Sequence, residues 1–358
     1  MTILAAKPTA VACGTRWLFG ILLALLLAGC EREQAPVQLS GATMGTSWQV
    51  TYLPPAGAAV ERSQLQQSLE QQLEAVNDSM STWRSDSEIS RFNHSEPGDW
   101  VELSAGFTEV MQTALMIGAA SGGAYDVTVS PLVDLWGFGA GSDEVLRRDL
   151  PSAAEIASRL ERVGQQYLEL DVAASRLRKQ RDVALDLSSI AKGYAVDLLA
   201  QELLSQQIDN FLVEVGGEIR VAGHSPRGDA WRVAIERPGT GTRSPARALA
   251  VTDKAVATSG DYRNFFEVDG RRYSHSIDPR TGSPVTHDLV SVTVIADDCT
   301  SADGWATALE VLGEEAALEL AEEQGLAVYL MRRTSDGIVS SHSSAFSPWL
   351  DSGTQGGN

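Results

Sequence analysis

The stretch Phe211-Leu-Val-Glu-Val-Gly-Gly-Glu-Ile-Arg-Val-Ala222 decides what kind of sheet this chain can build. Two strand-like runs flank Gly216-Gly217, and glycine reaches positive-φ turn geometry without a Cβ penalty. Strands joined by so short a link pair antiparallel, because a parallel pair needs a crossover of a dozen or more residues. The same signal recurs at Asp269-Gly270, between Phe265–Val268 and Arg271–Ile277. A polar hairpin is expected from Tyr167–Val172 and Arg176–Gln180. Strand patterning also predicts Ala124–Ser130, Val183–Leu187, Trp231–Glu236, Ala248–Val251, Leu289–Ala296 and Ala327–Met331.

Helices are interleaved with these strands. Leu65, Leu69, Leu73, Val76 and Met80 recur at helix spacing, which predicts an amphipathic helix over 59–80. Ser104 is a good N-cap for a helix to Ser121, which Gly122-Gly123 ends. Pro151 suits the start of another, to Val163. Further helices are expected at Ser189–Gln206, Ser301–Leu312 and Ala316–Glu323, with a short apolar turn of helix at Leu132–Gly139. The expected class is α+β: mixed, mostly antiparallel sheets with packed helices, not a doubly wound parallel sheet.

Lys7 and Arg16 precede or open an apolar run, Trp17–Ala28. A membrane-spanning helix needs roughly twenty such residues, so this shorter run reads as the core of a secretory signal. It ends in Leu27-Ala28-Gly29-Cys30, which resembles the bacterial lipobox, in which the Cys is lipidated and becomes the new N-terminus. The expected organisation is a signal peptide over 1–29, a tether over 30–40, one domain over 41–346 and a flexible tail over 347–358. The expected location is a membrane-anchored lipoprotein, carrying palmitate on Cys30 and facing the periplasm. The inner membrane is the expected side, although Glu31 is not the Asp typical of retention there. Cys13 leaves with the signal and Cys30 takes the lipid, so Cys299 has no disulfide partner in the mature chain.

The formal net charge is −19, which argues against nucleic-acid binding, since that relies on basic surface. A phosphorylated ligand would need a local site of backbone N–H groups, a few cations or a metal. Asp186-Leu-Ser-Ser-Ile-Ala-Lys-Gly-Tyr-Ala-Val-Asp197 offers one, running from a strand end into a helix. Ser188 or Ser189 is a natural N-cap there, the first turn presents free N–H groups, and Lys192 adds a point charge. Asp303 and Thr307 lie four apart on a helix, so a carboxylate and a hydroxyl share one face. Hard oxygens of that kind suit Mg²⁺. Tyr273-Ser-His-Ser-Ile-Asp-Pro-Arg-Thr-Gly282 places His275 near a strand end, before a turn that carries Asp278 and Arg280. An imidazole so placed is a candidate general base.

Taken together, these segments resemble the ApbE family of FAD:protein FMN transferases. The matching runs are Met44-Gly-Thr46, Ser81 to Arg91, Tyr125-Asp-Val-Thr128, Leu135 to Gly139, Asp186 to Asp197, Glu214 to Glu218, Thr258 to Arg263, Ser274 to Gly282 and Ala302 to Thr307. They occur in family order. The resemblance implies that Met44, Trp83, the Ala124-Tyr125-Asp126 run, Asp186, Lys192 and Ile277 contact FAD. It implies that Mg²⁺ is held by Asp303, Thr307 and an oxygen from Ser189 or Ala191, and that His275 and Asp303 serve catalysis. It further implies transfer of FMN from FAD to a Ser or Thr hydroxyl of another protein, with release of AMP. The acceptors it implies resemble subunits of the sodium-pumping NADH:quinone reductase and of the related Rnf complex. Two other functions share these residues: an FAD pyrophosphatase giving FMN and AMP, and a non-catalytic flavin-binding lipoprotein. Asp303, Thr307 and His275 speak against the passive binder, which needs no leaving-group metal.

Overall fold

A computed structural model describes residues 35–55, 60–139, 150–239, 245–260 and 264–350. Internal contacts divide the chain into Met1–Ala35 and Pro36–Asn358, and the second unit holds the fold. The signal run, Cys30 and most of the expected tail lie outside the described residues.

The unit opens with β1 (Val37–Thr43), β2 (Thr46–Tyr52), α1 (Arg62–Met80) and α2 (Glu88–Asn93). Next come β3 (Trp100–Glu102), α3 (Ala105–Ala120), α4 (Ser130–Trp136), α5 (Ala153–Leu160), β4 (Leu168–Asp171), β5 (Arg176–Lys179) and α6 (Ala191–Ser205). Strands then dominate: β6 (Phe211–Val215), β7 (Glu218–Ala222), β8 (Trp231–Glu236), β9 (Pro245–Val251), β10 (Lys254–Ser259), β11 (Phe265–Val268) and β12 (Arg271–Ser274). The remainder is β13 (Ile277–Asp278), β14 (Ser283–Pro284), β15 (Leu289–Ala296), α7 (Cys299–Leu312), α8 (Glu314–Gln324), β16 (Ala327–Thr334) and β17 (Gly337–His342).

Eight strands form one sheet in the order β1-β2-β6-β7-β10-β15-β16-β17. Every neighbouring pair in it is antiparallel. The α+β expectation therefore stands, and the Gly216-Gly217 link is a two-residue turn with Val215 opposite Glu218. Both glycines have positive φ, as such a turn requires.

Side-chain alternation splits the sheet into two faces. Ala255, Ala257, Val328 and Leu330 join the main core, which also holds α1, α3, α6 and α7. Their neighbours Val256, Ala327, Tyr329 and Met331 point the other way, into a second cluster under the β8–β9 ribbon. Along β15 the alternation changes phase, because the register shifts between Leu289 and Ser291. Leu132, Trp136, Val163 and Ile277 make a third, smaller cluster.

Several boundaries differ from expectation. Ala124–Ser130 and Val183–Leu187 are not strands; the two segments share an isolated parallel bridge, Val129 to Ala184, and a bond from Asp186 N to Val127 O. The Asp126 carboxylate explains the first, since it accepts from Thr128 N and Oγ1 and curls the chain into a local turn. The strand starting at Arg271 breaks after Ser274, where Ser276 N bonds to the Ser274 hydroxyl. The tether is shorter than expected, as β1 begins at Val37. The chain expected to fray after Phe346 stays packed through Leu350, whose carbonyl accepts from Arg247.

Candidate active site

A groove of ≈ 990 Å³ opens beside the β1–β2 turn. Its walls are the turn itself, the C-terminal end of α1 with the following Ser81–Arg84, and the entry to α6. The turn is Met44-Gly45, a two-residue link with Thr43 opposite Thr46. Met44 takes a φ of 48°, a region that costs a non-glycine residue free energy. Trp83 is 72 % exposed and presents its indole to the groove. Asp186, Ala191 and Lys192 close the opposite side. Asp186 Oδ1 accepts from Ser188 N at 2.8 Å, which shapes the bend into α6. The residue before α6 is Ile190, whose apolar side chain makes no cap bond. The expected Ser188 or Ser189 cap is therefore not made; Ser189 Oγ instead donates to the Tyr125 hydroxyl at 3.1 Å. Of the first-turn N–H groups, Ala191 N donates to Leu187 O and Gly193 N to the Asp303 carboxylate, which among the described residues leaves Lys192 N to meet an anion.

Behind the groove lies a small cluster of charges. Lys192 Nζ sits 2.9 Å from Glu218 Oε1 and 3.8 Å from Asp303 Oδ1. Asp303 Oδ2 accepts from Gly193 N at 3.0 Å, so α7 is tied to α6 through the carboxylate. Asp303 is buried, and burial raises its pKa to about 7 against the pull of Lys192. Burial works against the Lys192 ammonium too, but Asp303 and Glu218 outweigh it and its pKa is raised. Lys192 therefore stays charged. One turn along α7 from Asp303, Thr307 Oγ1 shares a hydrogen bond of 3.0 Å with Ser259 Oγ.

These donors fit a hard divalent cation. Asp303 Oδ1 has no hydrogen bond among the described residues; the Lys192 ammonium lies beyond bonding range, and the Glu218 carboxylate also bears on it electrostatically. Among the described residues no group of three His, Cys, Asp or Glu side chains comes together. A cation here would rest on one carboxylate and neutral oxygens, the pattern that Mg²⁺ accepts when substrate phosphates complete its shell.

His275 follows β12, and its backbone N donates to Asn264 O at 3.1 Å. Its ring meets the edge of Phe138 with centroids 6.3 Å apart. Phe138 heads a stack that runs through Phe266 and Tyr273 to Trp136. Burial pushes the imidazole below its ordinary pKa and the Lys192 charge pushes the same way, with the Asn264 backbone opposing. The ring is therefore neutral near pH 7 and able to take a proton. Among the described residues its Nδ1 is buried with no hydrogen-bond partner.

The structure gathers Met44, Trp83, Asp186, Ala191 and Lys192 around the groove. Asp303 joins them through Lys192, and Ser189 joins Tyr125 through the hydroxyl bond. Burial raises the Tyr125 pKa, and the charges of Asp303, Asp186 and Asp126 add to it. Other expected residues sit elsewhere. Ala124 is buried, and the Asp126 carboxylate is taken up by Thr128 and by Gln165 N. The Ile277 side chain belongs to the third core cluster. Asp278 and Arg280 pair with each other at 2.9 Å and hold the turn. Sequence reasoning assigned no part to Glu218; a charged residue at a buried position directly after a glycine turn was the available signal.

Residues 44–330 match the ApbE family. An FAD:protein FMN transferase of Vibrio cholerae is 44% identical over 335 residues, spanning 93% of this chain and 98% of its own length. One of Haemophilus influenzae is 41% identical over 334 residues, 92% of this chain and 96% of its own. The solved structure of the Vibrio cholerae flavin transferase ApbE superposes with a TM-score of 0.81 at 41% identity, over 88% of this chain and 99% of that one. The apo Pseudomonas stutzeri flavinyl transferase ApbE gives 0.81 at 38%, over 89% and 98%. A family match that spans the folded unit, with relatives of this identity aligned nearly end to end, means that the chain belongs to the ApbE family.

Proposed function

We propose that this protein transfers FMN from FAD to a Ser or Thr hydroxyl of an acceptor protein and releases AMP. The observation that carries the reading is the placing of Lys192 between a flavin-sized groove and the buried Asp303. A flat ring system can lie against Trp83 and Met44, with its phosphates towards Lys192 at the start of α6. Lys192 offsets the negative oxygens that shield the FAD pyrophosphate. Asp303, Thr307 and an oxygen of Ser189 or Ala191 would hold Mg²⁺, which when bound neutralises pyrophosphate charge and stabilises the AMP leaving group. The acceptor hydroxyl oxygen forms a bond to the FMN-side phosphorus, and the bond from that phosphorus to the bridging oxygen breaks. The electron pair leaves with AMP, and the hydroxyl proton passes to neutral His275.

The family resemblance supports acceptors akin to subunits of the sodium-pumping NADH:quinone reductase or Rnf complexes. The lipobox-like Cys30 supports a lipid anchor on the periplasmic side. The test is to incubate the purified protein with FAD and Mg²⁺, with and without an acceptor bearing a Ser/Thr flavinylation motif. The expected result is covalently flavinylated acceptor with matching AMP, and Asp303→Ala should abolish the Mg²⁺-dependent turnover. AMP released at the same rate without acceptor, and no flavin on the acceptor, would make the protein a pyrophosphatase and overturn the reading.

A further inference from the structure

We infer that Glu218 is a positioning residue: it holds the Lys192 ammonium off Asp303, so that Asp303 Oδ1 stays open to a divalent cation. The inference rests on the metal site proposed above. Two buried carboxylates compete for one ammonium, and the distances show which has it. Glu218 Oε1 lies at 2.9 Å, within hydrogen-bond range, while Asp303 Oδ1 at 3.8 Å lies beyond it. Among the described residues nothing else engages the Glu218 carboxylate. Its Oε2 is buried without a partner, and Lys192 is the only group it bonds among the described residues. A carboxylate kept to brace backbone would spend both oxygens on donors, as Asp197 does with Cys299 N, Thr300 N and the Thr300 hydroxyl.

The stem of Lys192 is fixed as well. A Cβ placed on Gly216 would lie 3.1 Å from Lys192 Cδ and 3.0 Å from Thr46 Cγ2. The β6–β7 turn therefore rests directly against the lysine stem, and the next residue but one supplies the carboxylate that takes its head. One hairpin sets both the path and the end point of the side chain. Without the Glu218 charge, the nearest anion for Lys192 is Asp303. A small swing would close that pair and cover the oxygen that a cation needs.

The test is direct binding of Mn²⁺, as a spectroscopic substitute for Mg²⁺, to the folded protein without FAD. Glu218→Gln should weaken Mn²⁺ binding roughly tenfold, the scale of one charge-assisted hydrogen bond. The effect must run through the lysine, so in a Lys192→Met background the same substitution should change binding less than about threefold, as expected when two residues are coupled. Glu218→Asp keeps the charge but withdraws it by one methylene. It should also weaken Mn²⁺ binding with Lys192 present and not without it, and it carries the comparison should Glu218→Gln fail to fold. Equal losses in both backgrounds would make Glu218 a ligand or a simple counter-charge and overturn the inference, as would no loss in either. Asp303→Asn separates the two levels: unchanged Mn²⁺ binding in that variant removes the metal site itself, whatever Glu218 does.

Discussion

Replacing Gly193 by Ala should distort the candidate site through its frame, because Gly193 is where α6 and α7 come closest. A Cβ there would stand 2.3 Å from Cys299 O, 2.7 Å from Cys299 C and 2.8 Å from Asp303 Cβ. Two of those atoms are main chain at the start of α7 and cannot rotate aside. Ordinary contact begins at 3.4 Å, so the helices must part by about 1 Å. Asp303 and Thr307 ride on α7 and move with it, and the 3.0 Å bond from Gly193 N to Asp303 Oδ2 stretches. Overpacking of this kind costs about 1–3 kcal/mol. Losing a hydrogen bond to a charged acceptor costs about 1.5–3 kcal/mol more. Alanine returns about 1 kcal/mol as the better helix former. The net expectation is a loss of about 3 kcal/mol, or roughly 6 °C in Tm at about 2 °C per kcal/mol for a large domain. Urea unfolding of wild type and Gly193→Ala measures the first, and Mn²⁺ titration of both reports whether Asp303 has moved. A midpoint equal to or above that of wild type would refute the close approach of the two helices and the reasoning built on it.

Three further outcomes are expected. His275→Asn should bind FAD within about tenfold of wild type yet flavinylate on the order of 10²-fold more slowly, as for a lost general base, by fluorescence titration beside an acceptor gel. Because burial lowers the His275 pKa from its ordinary 6.5, the base is active above that lowered value and is lost as pH falls through it; at saturating Mg²⁺ an acid limb above pH 7 would contradict the assignment. Cys30→Ala should leave an unprocessed precursor without fatty acid, and labelled, processed protein would refute lipidation.

The glycine turns carried most of the fold in the sequence, because a two-residue link forces antiparallel pairing whatever the strands contain. Gly216-Gly217 and Asp269-Gly270 both mark hairpins where expected. Patterning misled at Ala124–Ser130, where alternating Val and Thr read as a strand but the Asp126 carboxylate binds its own neighbourhood first. It was silent at β10, whose Lys254-Ala-Val-Ala-Thr-Ser259 lacks bulky residues. The small side chains there face the core in which α7 packs, so tertiary contact and not propensity makes the strand. Asp303 and Thr307 were legible because helical spacing alone puts them on one face. Glu218 was not, since only the sheet register brings its carboxylate to the start of α6.

The order of strands in the main sheet has a consequence for how the protein comes into being. β2 pairs on one side with its sequence neighbour β1 but on the other with β6, and among the described residues six helices and a small three-stranded sheet are made in between. Met44 and Trp83 belong to the early part of the chain, Lys192 to the middle, and His275 and Asp303 to the end. Pairings between such distant segments form slowly, because the intervening loop must be closed before any contact rewards it. A chain that stops after α6 would own the groove wall and the lysine but neither Asp303 nor the imidazole. The proposed site is thus incomplete in any product of synthesis that stops short of α7 and is assembled only with the last third of the domain.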